Sequence, residues 1–452
     1  MTSTQAFDFA IIGGGAAGTL LAVRLLQAAP AGMRIAMIES GEPGRGVAYG
    51  SDNPAHVLNV PAGGMSMFTE RPDDFVQFLT ERDGSADPAA FVPRRDYAAY
   101  LANRLAQARA ASPAAWTHVR GNAQDVRIEA DAVVVTLASG DEVRARHLAL
   151  APGNRPRPCP FDPDDTQRVL SAWDHDGLQV IGADDAVVIV GSGLSMVDVV
   201  LGLQARGHRG QVTVVSRHGL LPLAHASKKP AVDVDIEALA ALGLRERLRM
   251  LRATAKRLEV EGLPWQSLMD ALRHHVRELW QSLSVADQRR FLRHVVRYWD
   301  VHRHRIPGEV AAQLQTLADA GELHHLAGRM DAARDVEGGI EISLHDRAGD
   351  VGTLHAQWLV NATGIETRAA HFPNPLLRRM LQSGLARPGP HGLGIDTDAQ
   401  GNVIDASGIA RPAIAAIGSL RLGNLWETTA VPDLRVDAAL LASRWLATSS
   451  EA

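Results

Sequence analysis

Cysteine is nearly absent from this 452-residue chain, which has one, Cys159. A single thiol rules out an intrachain disulfide, a CxxC redox pair and a thiolate-rich metal site, and it fits a reducing, cytoplasmic setting. An excess of positive charge is missing too. The formal net charge is −5, so the chain lacks the basic footprint of a nucleic-acid binder. Long apolar runs are also absent: the most membrane-like stretch, Phe9 to Val23, is too short and too rich in glycine to span a bilayer, so no membrane partner is expected. The opening MTSTQAFDF has no basic n-region, and no signal peptide is expected from it. What is present is ordinary soluble composition, 46% hydrophobic and 21% charged. The length suits about three domains' worth of polypeptide and leaves the oligomeric state open.

Against that background, Phe7 to Gly18, FDFAIIGGGAAG, is the stretch around which the chain is organised. Phe7 to Ile12 has the length and branching of a buried parallel strand. Gly13, Gly15 and Gly18 then occupy the three positions of G-x-G-x-x-G. The first allows a tight turn, the second lets a pyrophosphate approach the backbone, and the third lets the following helix pack close to the strand. The free N–H groups of that helix face the phosphates. After the helical run Thr19 to Gln27 a second apolar strand, Met33 to Ile38, closes at Glu39, about 20 positions beyond Gly18, where an acid accepts hydrogen bonds from a ribose 2′-hydroxyl. Strand, glycine loop, helix, strand and acid together predict a dinucleotide site.

Ser40 to Met67 reads as one long loop, and HVLNVPAGGMSMF (His56 to Phe68) inside it is either a packed surface loop or a wall over a cofactor ring. Helical spacing follows at Pro72 to Leu79 and at Arg95 to Ala110, with Tyr97, Tyr100, Leu101 and Leu105 on one face. Arg94 and Arg95 at its start are solvated charges or ligand clamps. Three strands, Val126 to Ile128, Ala132 to Leu137 and Val143 to Leu150, end in HLALAPG, and the proline-rich Asn154 to Pro163 looks like a linker.

The opening pattern then recurs. Ala186 to Val190 is a strand, Gly191 and Gly193 follow, a helical run reaches Ala205, and a second strand covers Gln211 to Val215. Met196 stands where the third glycine would be. Ser216 ends the strand and Arg217 comes next, where the first copy has Glu39; an arginine at that place suits a 2′-phosphate, so this copy reads as an NADPH site, with NADH possible. Residues 232 to 306 carry helical periodicity, with Ser284 and Asp287 placed as an N-cap and a box-like acid. The segment ends in RHVVRYWDVHRHRIP, whose charges are either a solvated helix end or a wall for an anion. His302 and His304 do not make up a metal set, and no metal is expected. A second meander closes in WLVNATG, the counterpart of HLALAPG. Near the end, Gly418 and Ser419 follow an apolar strand, and Pro432 opens a helix aimed at the loop Trp426 to Val431.

These residues resemble the two-domain FAD/NAD(P)H flavoproteins. GRGVAYG (Gly44 to Gly50), HVLNVPAGGMS, RRDYAAYL, VRYWDVHRHRIP and GSLRLGNLWETTAVPDLRVDAALLA are similar to a bacterial FAD-NAD(P)-binding family. That family includes flavin monooxygenases such as aspartate N-monooxygenases and the urate hydroxylase type. The resemblance implies an α/β fold with two Rossmann-like dinucleotide-binding domains and a helical insertion. The FAD domain would be 1–175 with 365–452, and the NAD(P)H domain 176–364, with the insert at 232–306. It implies that Gly13, Gly15, Ala17, Gly18, Glu39 and Ser40 hold the FAD pyrophosphate and ribose, with Gly153 nearby. It puts Asn59 and Val60 by the isoalloxazine, Val126 by the adenine, and Gly418 and Ser419 with the Thr428 to Val431 loop, Thr429 included, by the ribityl and pyrimidine end. On the nicotinamide side stand Gly191, Gly193, Ser195, Ser216, Arg217 and Gly364. Ser419 departs from the aspartate that many flavoproteins have there.

The function this implies is an NADPH-dependent FAD monooxygenase, using O2 on a small, nitrogen-bearing, anionic metabolite, with urate first and an amino acid second. Asn59, Arg94 and Arg305 are its candidate catalytic or substrate residues. A reductase that passes electrons to a partner protein, or a flavin-holding redox sensor, are the rivals of another class.

Overall fold

The computed structural model describes residues 6–161, 166–227 and 229–450, of Ser449 and Ser450 only the backbone. Asp162 and Pro163, the end of the expected linker, lie outside the described residues, as do the first five residues of the chain. Six strands come first: β1 (Phe7–Ile12), β2 (Arg34–Ile38), β3 (Ala115–Val119), β4 (Ala123–Ile128), β5 (Val133–Leu137) and β6 (Glu142–Leu150). Eight follow: β7 (Val169–Ser171), β8 (Val187–Val190), β9 (Val212–Ser216), β10 (Leu323–Ala327), β11 (Arg329–Val336), β12 (Gly339–His345), β13 (Val351–Ala356) and β14 (Trp358–Asn361). Two close the set, β15 (Asn402–Ile404) and β16 (Ala410–Ala416). The chain divides into two compact units, Met1–Arg155 with Glu366–Ala452, and Pro156–Ile365. The expected border at 175 therefore falls earlier, because β7 pairs in parallel with β14 and belongs to the second sheet.

In the first unit β1 runs parallel to β2 on one side and β6 on the other, β3 extends the sheet beyond β2, and β16 lies parallel to β6. The pleat sends alternate residues of β1 to opposite faces. Phe9 and Ile11 enter one core with Leu20, Leu21, Leu25, Tyr97, Tyr100 and Trp445, while Ala10 and Ile12 enter another with Val133, Leu376 and Met380. Both faces are covered from Phe9 onward, which is why β1 is apolar from Phe9 to Ile12. Each fully buried leucine of the helix Ala16–Ala28 contributes about 1.5–3 kcal/mol, enough to offset the roughly 1 kcal/mol entropic penalty of each glycine in the preceding turn.

The second unit has an all-parallel sheet in the order β10-β9-β8-β14-β7 and an antiparallel meander β11-β12-β13. Between β9 and β10 the chain makes the helical insert, from Ile236–Ala241 to Val296–Arg303, with a core of Leu239, Leu258, Leu268, Leu272 and Leu279. Ser284 caps the helix Val285–Arg290 by accepting the Asp287 N–H at 3.2 Å, as its position predicts. The Asp287 carboxylate in turn accepts the Leu244 N–H at 3.1 Å, which ties the long helix Leu244–Val260 to it. No helix among the described residues is long and apolar enough to cross a membrane.

One test comes from the packing of the first turn. A Cβ on Gly18 would overlap the Gly13 carbonyl oxygen, whereas one on Gly308 would meet nothing. Gly18→Ala should lower the stability of the first unit by about 1–3 kcal/mol or more, and Gly308→Ala should leave it unchanged. Equal melting temperatures for the two variants would refute the close-packing account.

Candidate functional site

The glycine turn of the first unit is fixed by backbone on every side. Gly13 sits at φ 101°, a conformation that only glycine adopts freely. Its N–H bonds the Ile38 carbonyl at 2.9 Å, and a Cβ there would overlap the Ala151 oxygen where β6 ends. Thr19, fully buried, donates its hydroxyl to the Gly14 carbonyl at 3.1 Å. Gly15 precedes the helix Ala16–Ala28 without any side-chain cap, so the first-turn N–H groups, with Ala17 among them, remain for an anion. Only the Gly46 Cα, 3.7 Å away, lies near the place of a Gly15 side chain. Gly46 at φ 53° and the Gly44 N–H, bonded to the Gly14 carbonyl at 2.7 Å, lay the GRGVAYG segment along the turn. Sequence reasoning picked out that segment but gave it no role; the spacing of its glycines was the available signal.

Glu39 is where the motif requires it. Its carboxylate accepts the Gly14 N–H at 2.7 Å and the Gly41 N–H at 3.0 Å. Burial pushes the carboxyl up, but the hydrogen bonds from Gly41, Gly14 and Ser40 outweigh it and hold it below its ordinary value. A carboxylate has about four lone-pair sites, so beyond the bonds from Gly14, Gly41 and Ser40 it can still receive a ribose hydroxyl. Gly418, at φ 78°, sits between the two helices that flank the turn, with Ala17 Cβ 3.8 Å and Leu434 Cδ2 3.4 Å from the place of its missing Cβ. Thr428, buried, donates to the Gly418 carbonyl at 2.8 Å, and Trp426 beside it has φ 64°. A bulky residue in that conformation is strained, and strain of this kind collects at functional sites. The threonine that closes this loop is thus Thr428; Thr429 is exposed, and Ser419 is half-buried. These residues fit a dinucleotide: an open N-terminal turn, an acid at the ribose position and glycines at each close approach.

The other expected residues take the following places. Asn59 and Val60 are half-buried in the loop before Ala62–Gly64, and Gly153 is exposed at φ 71°. Val126 packs in the second core with Ala36 and Ile38, and its N–H bonds Asp125 Oδ1 at 2.9 Å. Arg94 holds the loop, donating from its backbone to the His56 carbonyl at 2.9 Å and from Nε to the Val57 carbonyl at 3.2 Å. It acts there as a brace.

The second unit repeats the turn. Gly191 has φ 103°, its N–H bonds the Val215 carbonyl at 2.9 Å, and a Cβ on it would overlap the Ala362 oxygen. Gly193 has nothing within 4 Å of where a Cβ would be and precedes the helix Leu194–Ala205 with no side-chain cap. Gly364, at φ 88°, is equally open. Met196 is fully buried in place of the third glycine. Ser195 Oγ accepts the Trp173 indole N–H at 3.1 Å. Ser216 Oγ is buried and has no hydrogen-bond partner among the described residues, and Arg217 follows it, exposed.

The basic segment Arg297 to Arg305 does not form one anion-facing wall. Arg305 is 3% exposed and paired with Asp270, which also binds Lys229 at 3.0 Å. Its guanidinium stands 5.9 Å over the Trp265 ring and donates to the Gln266 carbonyl at 3.3 Å. The charges of Arg305 and Lys229 hold the Asp270 carboxyl below its ordinary value despite burial, which pushes it up. Arg305, expected as a substrate residue, is thus paired within the helical insert with the half-buried Asp270, while its Nε is buried without a partner among the described residues. His302 Nδ1 contacts the Tyr298 carbonyl at 2.7 Å. Among the described residues no group of three or more His, Cys, Asp or Glu could hold a metal.

Two glycine-turn dinucleotide units, one with an acid and one with an arginine after the second strand, define the two-domain flavoprotein fold. Residues 10–155 match the FAD-NAD(P)-binding family, in line with the resemblance. No curated protein matches the chain at a significant level. Among solved structures it is similar to the ornithine N-hydroxylase of Kutzneria sp. 744 (TM-score 0.68, 16% identity, 98% of this chain and 100% of that one). It is also similar to the L-lysine 6-monooxygenase of Pseudomonas syringae (TM-score 0.64, 17% identity, 97% and 99%). Lactococcus lactis thioredoxin reductase shares the fold as well (TM-score 0.57, 13% identity, 99% and 100%). These likenesses establish the fold along the whole chain.

Three outcomes check this site. Gly15→Val would put a branched side chain where the pyrophosphate must approach the backbone, so the purified protein should be colourless while its far-ultraviolet dichroism stays native; full flavin absorbance would remove the turn from the site. Glu39→Gln should lower the melting temperature at neutral pH. Because the folded carboxyl is held below its ordinary value of 4.5, its contribution is complete above that value and is lost as pH falls through the lowered one. The two melting curves should therefore converge in acid, and a gap that ignores pH would show that the charge is irrelevant. Arg305→Ala should cost about 1–3 kcal/mol of stability by leaving Asp270 short of a partner, and a rise in substrate KM without loss of stability would return Arg305 to the substrate site.

Proposed function

We propose that the protein is an NADPH-dependent FAD monooxygenase that hydroxylates the nitrogen of a small amine or amino acid. The overall reaction would be amine, O2, NADPH and a proton giving hydroxylamine, water and NADP+. The observation that supports it best is the whole-length likeness to an ornithine N-hydroxylase solved with reduced FAD, NADP+ and L-ornithine. Lysine and cadaverine monooxygenases share the same fold over nearly the same length. Urate, the first substrate suggested by the motifs, yields to the amino-acid alternative on this ground. The reductase branch has support from fold alone. Its dithiol form needs two thiols, and this chain has one, Cys159, which burial pushes up to about 11. A thiol held protonated at neutral pH is a poor nucleophile.

When bound, FAD supplies the two-electron and oxygen chemistry, and the protein supplies binding, orientation and water exclusion. The uncapped N–H groups after Gly15 would take the pyrophosphate and Glu39 the ribose. Gly418, locked by Thr428, would let the far end of the cofactor approach the backbone. In the second unit the N–H groups after Gly193 would take the nicotinamide dinucleotide's phosphates, and Ser216 with Arg217 its 2′-phosphate. A cytoplasmic setting fits a chain that draws on NADPH.

NADPH oxidation should be measured with ornithine, lysine, cadaverine, aspartate and urate, scoring hydroxylamine and O2 uptake together. One of the amines should raise both. Stimulation by urate alone would restore the urate reading, and electron flow only to a protein acceptor would make the enzyme a reductase. Arg217→Ala should weaken NADPH about ten- to a hundredfold and NADH hardly at all, the size of a charge-assisted phosphate contact. Equal losses for both would remove Arg217 from the 2′-phosphate.

A further inference from the structure

The end of the helical insert comes back to the carboxyl edge of the second parallel sheet. β9 stops at Ser216, which is in register with Ala327, the last residue of β10. The first strand continues into Arg217, His218 and Gly219. The second continues through Gly328, whose N–H bonds the Ser216 carbonyl at 3.0 Å, into Arg329. Two arginines thus follow adjacent parallel strands, Arg217 level with Gly328 and Arg329 one residue beyond. From the insert, the ring of Tyr298 lies 6.4 Å from the His218 ring at a tilt of 44°, and Arg297 is its neighbour in the helix Val296–Arg303. Arg347, in the turn between β12 and β13, contacts His218 Nδ1 at 2.9 Å.

Three features of this cluster are unexplained by the fold. First, it concentrates like charge. Arg217 and Arg329 have no carboxylate partner among the described residues; Arg297 has Asp300 at 3.0 Å. Burial, then Arg297 and Arg329, make the Arg217 guanidinium easier to deprotonate than usual. The His218 imidazole is held low by burial and by Arg217, Arg347 and Arg297. Mutual repulsion of this kind is relieved by an anion. Second, Ser216 Oγ and His325 Nε2 are buried without partners among the described residues, and His325 lies beneath the turn, its Cε1 3.9 Å from the place of a Gly219 side chain. Third, Tyr298 is 49% exposed, and a five-residue π-helical turn, Phe291–Val295, comes just before its helix. A π turn adds a residue to the helix and rotates the rest of it by about 100°, which is how Arg297 and Tyr298 come round to β9.

We propose that Arg297 and Tyr298 of the helical insert, together with Arg329, complete the nicotinamide-dinucleotide site that Ser216 and Arg217 begin. Arg217, Arg297 and Arg329 clamp the 2′-phosphate, and the Tyr298 and His218 rings form a shelf for the adenine. The insert is thereby a determinant of NADPH selectivity. This rests on the NADPH reading above and goes further, since that reading requires only Arg217.

The test is calorimetric titration of the flavin-loaded protein with adenosine 2′,5′-bisphosphate and with adenosine 5′-monophosphate. Arg297→Ala and Arg329→Ala should each weaken the bisphosphate about tenfold and leave the monophosphate unchanged, as the loss of one charged contact requires. Tyr298→Ala should weaken both nucleotides alike, and Tyr298→Phe should restore both. Arg297→Lys, which keeps a cation beside Asp300, should retain most of the affinity lost in Arg297→Ala. If a variant loses its fold or its flavin, this lysine substitution and Tyr298→Phe still decide the matter, because both preserve packing. Bisphosphate affinity that falls in Arg217→Ala but not in Arg297→Ala or Arg329→Ala would overturn the insert's role and leave the NADPH reading standing. Equal affinity of the unaltered protein for the two nucleotides would overturn both.

Discussion

The constraint on which both units depend is the contact of one glycine with the end of a neighbouring strand. Gly13 packs against the Ala151 carbonyl and Gly191 against the Ala362 carbonyl, and in neither place is there room for a Cβ. Each glycine also takes a positive φ and bonds a carbonyl near the end of the adjacent parallel strand, Ile38 or Val215. Three elements are pinned at one point by backbone alone. Side-chain packing could not do this, because any side chain would hold the strands apart and move the helix N-terminus away from its ligand.

From that shared plan the two units diverge by charge. In the first, the strand ends in Glu39, whose carboxylate is bound by the backbone of its own turn and kept ionised. In the second, the strand ends in Ser216 and Arg217, with like charges gathered round them from β10 and from the helical insert. A negative group that accepts a ribose hydroxyl and a positive group that pairs with a 2′-phosphate suit different adenosine ends. The insert therefore has electrostatic as well as structural meaning, and its π turn is explained by where it points Arg297.

The basic segment that ends the insert shows how composition can mislead. Arg297, Arg303 and Arg305 look alike in the sequence, yet Arg305 is spent on Asp270, 35 residues earlier, while Arg297 turns toward β9. Arg94 similarly reads as a possible clamp and serves as a brace for the loop at His56 and Val57. Nothing local distinguishes these arginines. Their partners are distant in the chain, and only folding decides which charges are satisfied inside the protein and which are left for a ligand.

The sequence by itself determined the two glycine turns, the acid and the arginine that follow them, the parallel strands and the cap at Ser284. These features are set by residues within about 20 positions of one another, through φ preference, periodicity and the absence of a side chain. Tertiary structure alone decided that Gly46 lies against Gly15, that the Thr428 hydroxyl locks the Gly418 carbonyl, and that Val126 is core. It also decided that Arg329 and Arg297 stand with Arg217. Each of these depends on which distant segments meet, and that is settled by the register of the sheets and the burial of their cores, neither of which a local pattern encodes.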